Sequence, residues 1–124
     1  MMACSCSCGG DCKVTLLYAC SGAANTGLLA DQVARTLSTR EVGGMTCLSG
    51  VAANISGFVV SAQEADMNVV IDGCKVGCGA RIFKEKGLPF EHAVITDFGV
   101  TKGETPITAE LIESVSDQIA QRIA

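Results

Sequence analysis

Short apolar segments alternate with helix-like segments four times along this chain, and this alternation limits the possible folds more than any other feature. The first apolar segment, VTLLYA at 14–19, has the length and composition of a buried strand. In the next segment Leu29, Val33 and Leu37 recur every fourth residue, which predicts one buried helix face. The same reasoning predicts strands at 14–19, 42–46, 68–71 and 92–96, and helices at 26–40, 49–63, 74–86 and from 109 onward.

Strands that alternate with helices form parallel sheets, because each helix returns the chain to the same end of the sheet. The sequence therefore predicts an α/β three-layer sandwich with a mostly parallel four-stranded sheet and helices on both faces, Rossmann-like or flavodoxin-like. The core must consist of Val, Ile, Leu and Ala, since the chain has no tryptophan and few aromatic residues. Thr108 is the predicted N-cap of the last helix, and Gly87 is expected just beyond the third.

The first twelve residues do not share this pattern. They contain Cys4, Cys6, Cys8 and Cys12 but almost nothing that could be buried. We therefore predict a mobile, cysteine-rich arm at 1–12, which a soft metal ion could order, and a single α/β domain at 13–124.

Eight cysteines in 124 residues raise the question of disulfide bonds. The opening segment MMACSCSCGGDC lacks the apolar core of a signal peptide, and no apolar run is long enough to span a bilayer. We expect a cytoplasmic protein with reduced thiols, in which clustered cysteines bind metal or act in catalysis. The net charge of −4 gives no electrostatic basis for binding nucleic acid or an anionic membrane. No feature identifies a protein partner.

Three cysteines stand at the carboxyl ends of three predicted strands. Cys20, Cys47 and Cys74 follow one another at intervals of 27 residues, about one strand plus one helix. The carboxyl ends of parallel strands share one edge of a sheet, so these thiols can meet although they are distant in sequence. Cys78 follows Cys74 by one helical turn and is expected to face the same point. Four thiolates suit Zn²⁺ or an iron–sulfur cluster, so we predict a metal site at Cys20, Cys47, Cys74 and Cys78.

Other interpretations of these cysteines stay open. Cysteine is often a small buried core residue without chemical function. Cysteines at helix starts have lowered pKa values, which favours a thiol redox or sulfur-carrier enzyme with Cys20 or Cys74 as nucleophile and Cys78 as resolving cysteine. A phosphatase-type loop is disfavoured, because Thr26 occupies the position of its phosphate-binding arginine. The first hypothesis is that the protein senses or carries a metal ion or uses it structurally. The sequence does not decide whether the protein is an enzyme.

The tripeptide Asp72-Gly73-Cys74, followed by Cys78, resembles the motif after which the DGC domain family is named. Other blocks similar to that family are 18–24, 47–50, and Asp31 with Arg35. The resemblance covers roughly residues 14–100 and does not include the arm at 1–12.

This resemblance implies a prokaryotic zinc-binding domain with four chelating cysteines. By their place in the motifs, those cysteines correspond to Cys20, Cys47, Cys74 and Cys78. The biochemical role of the family does not follow from the motifs.

Overall fold

Four strands and five α-helices alternate along residues 13–124, the part of the chain that the computed structural model describes. The predicted arm at 1–12 lies outside the described residues. In chain order the elements are β1 (Thr15–Ala19), α1 (Asn25–Thr39), β2 (Gly44–Met45), α2 (Leu48–Ala52), α3 (Ser56–Glu64), β3 (Met67–Asp72), α4 (Cys78–Glu85), β4 (Glu91–Val94), a 3₁₀ turn (Ile95–Phe98) and α5 (Ala109–Ile123). Within this part of the chain, no helix has the length and apolar character needed to cross a membrane.

The four strands form one parallel sheet in the spatial order β2-β1-β3-β4. In the central pair, Thr15 lies opposite Met67 and Ala19 lies opposite Ile71. This confirms the predicted three-layer α/β fold, and the strand order is that of flavodoxin-like sheets. The switch point of this order lies between β1 and β3, at the carboxyl edge where such sheets bind ligands.

Different helices cover the two faces of the sheet, because successive strand residues point to opposite sides. Leu17 and Ile71 are buried on the face covered by α1 and α5. Tyr18 and Val70 are buried on the other face, where Phe83 of α4 packs against the Tyr18 ring with centroids 4.8 Å apart. Burial on both faces explains why the two central strands, β1 and β3, are mostly apolar.

Both predicted helix-end signals are confirmed. Thr108 caps α5, its Oγ1 accepting a hydrogen bond from the Leu111 N–H at 3.1 Å. Gly87 lies just beyond α4 with a φ of 68°, a left-handed conformation that glycine adopts at little cost. The second and fourth strands are shorter than the predicted segments at 42–46 and 92–96.

The prediction of one continuous helix at 49–63 is wrong. The segment forms two helices, α2 and α3, and the chain bends at Asn54, whose φ is 60°. Asparagine tolerates this left-handed conformation better than most residues. The two helices pack closely, since a Cβ on Gly50 would lie 2.5 Å from the Phe58 ring.

The predicted helix at 74–86 begins one turn later than expected. It starts at Cys78, and Cys74 lies in the turn before it. Gly77 separates the two with a φ of 67°, which a right-handed α-helix does not allow. Cys74 and Cys78 are therefore not one turn apart on a single helix, and the prediction of a common orientation on that ground is wrong.

Candidate metal centre

The four cysteines proposed as ligands lie at the carboxyl edge of the sheet. Cys20 directly follows β1, and Cys47 lies between β2 and α2. Cys74 follows β3, and Cys78 is the first residue of α4. All four are free thiols, and each is at least partly exposed. Cys20 and Cys74 therefore flank the switch point of the sheet, between β1 and β3.

Three of these thiols line one cavity. The cavity has a volume of about 720 Å³, and Cys20, Cys47 and Cys78 are among its lining residues. Cys74 is not. The fold thus brings thiols from three different segments of the chain to one cavity, whereas Cys74 lies outside the cavity lining.

The α1 side of the cavity carries a pair of opposite charges. Arg35 Nε donates to Asp31 Oδ2 at 2.8 Å, and Ser21 Oγ donates to Asp31 Oδ1 at 3.1 Å. Because Ser21 follows Cys20 directly, the second bond ties the loop after β1 to α1. Most of the other lining side chains are apolar, among them Leu48, Phe58 and Ile82, and two are the hydroxyl side chains of Thr46 and Ser49.

The turn after β3 contacts Cys20 directly. The Gly73 N–H donates to Cys20 Sγ at 3.2 Å. A Cβ on Gly73 would lie 2.8 Å from backbone atoms of Thr26 and Gly27, so a side chain at this position would push the turn away from α1. A backbone N–H directed at sulfur is favourable when that sulfur carries negative charge, as it does when it binds a metal.

Cys47 is an exposed thiol with a lowered pKa. Its Sγ lies 3.0 Å from Ser49 Oγ. The hydrogen bond from Ser49 is the largest cause of the lowered pKa, and the backbone N–H of Gly50 adds to it. Both interactions stabilise the thiolate, the form that coordinates metal or attacks an electrophile.

Asp72 positions α4. Its carboxylate is buried and accepts hydrogen bonds from the backbone N–H groups of Gly79 at 2.8 Å and Ala80 at 3.1 Å. His92 Nε2 lies 2.7 Å from Asp72 Oδ2. These bonds fix the first turn of α4 and, with it, the position of Cys78.

Sequence reasoning missed His92 as a partner of Asp72. The two residues are on adjacent strands, β4 and β3, and 20 positions apart. The sequence contains only a weak indication of this pair, because the single histidine of the chain lies in the strand after β3 and β3 ends at Asp72.

Cys74 has a different environment from the other three thiols. Its Sγ lies 3.5 Å from the Nζ of Lys102, which comes from the segment between the 3₁₀ turn and α5. Lys102 was also missed by sequence reasoning, because no local pattern links a lysine to a cysteine 28 residues away.

No three His, Cys, Asp or Glu side chains within residues 13–124 lie close enough together to hold a metal ion. The donor chemistry nevertheless fits a cation that prefers sulfur, since three thiols share a cavity and a backbone N–H is directed at one of them. A metal ion bound here would have to draw the thiols together.

Comparison with known proteins supplies independent information. The model of the DGC domain family matches residues 16–119, a range that contains all four of these cysteines. The chain is also similar to the "Anaerobic and virulence modulator AnvM" of Pseudomonas aeruginosa, with 28% identity over 113 residues. That alignment covers 91% of this chain and 82% of the relative. No solved structure matches the chain.

Proposed function

The chain belongs to the DGC domain family, and from this premise we propose that it is a small cytoplasmic metal-binding protein whose zinc ion is held by Cys20, Cys47, Cys74 and Cys78. The observation that carries the proposal is the shared cavity. Cys20, Cys47 and Cys78 come from segments far apart in sequence, yet their side chains line the same space. The sheet topology brings these positions to one edge, and the presence of a thiol at each of them supplies the donor type that zinc prefers.

Cys74 completes the set through the turn to which it belongs. Gly73, the residue before it, already donates a hydrogen bond to Cys20 Sγ. The turn is exposed on one side, because Lys75 and Val76 lie at the surface. A small movement of this turn is therefore less costly than a movement of the buried strand before it.

Four thiolates are a donor set that zinc prefers and that leaves no open coordination position. Zinc bound there would neutralise two of the four negative charges and cross-link three strand ends. An iron–sulfur cluster accepts the same ligands and is the alternative cofactor. The two differ in colour, since zinc thiolates do not absorb visible light and iron–sulfur clusters do.

Metal sensing, carriage and structural use are the three roles open to such a site. The similar protein from Pseudomonas aeruginosa is named a modulator, which supports metal sensing over carriage or purely structural use for this chain. Thiolate–metal sites suit that role, because oxidation of a thiolate releases the metal. We place the protein in the cytoplasm because its thiols must stay reduced to bind metal.

A thiol redox or sulfur-carrier enzyme is the second candidate. One observation favours it, the lowered pKa of the exposed Cys47. The sequence predicts Cys20 or Cys74 as the nucleophile of such an enzyme and Cys78 as its resolving cysteine. The environment of Cys47 makes it the better nucleophile within this candidate function, since it combines exposure with a stabilised thiolate.

Metal analysis combined with an absorption spectrum tests the proposal. The full-length protein is purified anaerobically without added chelator, and metal per chain is measured by mass spectrometry. We expect about one zinc per chain and no visible absorption. Visible absorption with bound iron would favour the cluster. A colourless protein without metal, which gains no thermal stability from added Zn²⁺, would exclude metal binding and leave the thiol enzyme.

A further inference from the structure

Cys74 is the only one of the four cysteines in contact with a cationic side chain among the hydrogen bonds of residues 13–124. Lys102 Nζ lies 3.5 Å from Cys74 Sγ. Lys102 is exposed and 28 residues away in sequence. A long exposed side chain loses conformational entropy when it is held in one position. The contact is therefore meaningful only if the backbone of Lys102 is itself fixed near Cys74.

That support comes from one asparagine. The Asn25 side chain donates from Nδ2 to the carbonyls of Thr101 at 3.1 Å and Thr105 at 2.9 Å. Its Oδ1 accepts a hydrogen bond from the Gly103 N–H at 2.6 Å. Asn25 thus uses both the donor and the acceptor end of its amide to hold the loop that contains Lys102.

The loop is also closed by its own bonds. The Thr101 N–H donates to Thr105 Oγ1 at 2.8 Å, and the Glu104 and Thr105 N–H groups donate to the Thr101 carbonyl. Gly103 takes a left-handed conformation with a φ of 84°. The backbone of Lys102 is therefore fixed against the start of α1, and α1 begins close to the turn after β3, as the contact of Gly73 with Gly27 shows.

The net negative charge of a metal-loaded site would give a lysine at this position a role. A zinc ion with four thiolates carries two net negative charges. The Asp31–Arg35 pair on the cavity wall is balanced within itself. Lys75 is next to Cys74 in sequence but is exposed and makes no hydrogen bond to a cysteine in the described chain. Lys102 is thus a cation placed to offset this charge, and it is the one that contacts a cysteine sulfur among the described residues.

We infer that Lys102 is a further residue of the metal site, donating a hydrogen bond to Cys74 Sγ and offsetting the negative charge of the thiolates. Asn25 is the residue that positions it. The inference rests on the proposed function, because it concerns the affinity for a metal held by Cys74 and its three partners. Groups that hydrogen-bond to metal ligands commonly change metal affinity by 10- to 100-fold when mutated, about the effect expected here.

Zinc affinity of the full-length chain tests the inference. It is measured by competition with a chromophoric chelator for wild type, Lys102→Gln, Lys102→Arg and Lys75→Gln. We expect Lys102→Gln to weaken zinc binding about tenfold and Lys102→Arg to retain most of the affinity. Lys75→Gln removes the same charge one residue from Cys74 and is the matched control, expected within about twofold of wild type because exposed charges without a contact are screened.

Two further measurements separate a local contact from a change of fold. The difference between wild type and Lys102→Gln should shrink at high salt, because it is electrostatic. Asn25→Ala should weaken zinc binding in the same direction, and adding Lys102→Gln to it should have little further effect. Circular dichroism checks that both single variants are folded.

The inference is overturned, while the proposed function stands, if wild type, Lys102→Gln and Lys75→Gln all bind zinc with the same affinity. A wild-type protein that binds no zinc overturns it together with the proposed function. Equal losses in Lys102→Gln and Lys75→Gln would also contradict it, since they would show a general charge effect rather than a contact with Cys74.

Discussion

The Gly73 N–H donates a hydrogen bond to the Cys20 sulfur at 3.2 Å, across 53 residues of sequence. This bond joins the carboxyl ends of β1 and β3, the two central strands of the sheet. It exists because the turn after β3 packs directly on the backbone at the start of α1. The local geometry of the site therefore depends on residues that carry no reactive group.

Gly73→Ala should destabilise the fold by roughly 1–3 kcal/mol, the usual cost of overpacking a close contact. The added Cβ would lie 2.8 Å from the backbone of Thr26 and Gly27, which cannot move aside as a flexible side chain would. Urea unfolding measures the change. Gly57→Ala is the matched control: its Cβ would have no neighbour within 4 Å, and it lies inside α3. That control should be neutral or stabilising by up to about 1 kcal/mol, and equal effects of the two variants would contradict the packing argument.

Asp72→Asn should destabilise the protein by about 3 kcal/mol, because the carboxylate is buried and accepts hydrogen bonds from two backbone N–H groups of α4. The amide that replaces it has one acceptor oxygen and an N–H₂ group that cannot accept. Asp97→Asn provides the comparison, since Asp97 is exposed in the 3₁₀ turn. Chemical unfolding of both variants checks the prediction. Losses of the same size would show that Asp72 does not hold α4.

Ser49→Ala should raise the pKa of the Cys47 thiol. The hydrogen bond from Ser49 is the largest cause of the lowered pKa, and removing it leaves less thiolate at neutral pH. In metal-free full-length protein, the alkylation rate of Cys47 at pH 7 should fall, and its rate–pH profile should shift toward higher pH. Peptide mapping of iodoacetamide adducts measures this rate, with Cys78 as a reference in the same molecule. An unchanged Cys47 profile would show that Ser49 does not stabilise the thiolate.

Tyr18 is the single tyrosine of the chain, and burial raises its pKa to about 12. The raised pKa means that folding favours the neutral phenol. This contribution to stability is fully present below the unfolded pKa of about 10 and is lost as the pH rises from there toward about 12. Ultraviolet titration of phenolate absorbance measures it directly in folded protein and in urea. A midpoint near 10 in protein that is still folded would contradict the burial of Tyr18.

The fold could be predicted because its signals are local. The apolar run that contains Leu17 and Tyr18 has the length of a buried strand, and the repeat of Leu29, Val33 and Leu37 marks one helix face. Where the prediction failed, single residues in left-handed conformations ended or delayed a helix that the apolar repeat continued. Asn54 breaks the predicted helix at 49–63 and brings Phe58 over Gly50, and Gly77 delays the start of α4.

The candidate site could be predicted only in part. Strand ends in a parallel sheet share an edge, so the approximate convergence of Cys20 and Cys47 follows from topology. The orientation of Cys74 does not, because the left-handed Gly77 removes it from the helix of Cys78. Lys102 could not be anticipated, since its position depends on hydrogen bonds formed across more than 70 residues by Asn25.

The most direct test of the central claim is the zinc content of two full-length variants prepared side by side. One has serine at Cys20, Cys47, Cys74 and Cys78. The other has serine at the remaining four cysteines, Cys4, Cys6, Cys8 and Cys12, and is matched to the first in the number and type of substitutions. Serine removes the sulfur donor that zinc requires in either place. We predict about one zinc per chain in the second variant and none in the first. Full zinc content in the first variant and none in the second would contradict the placement of the metal at the carboxyl edge of the sheet.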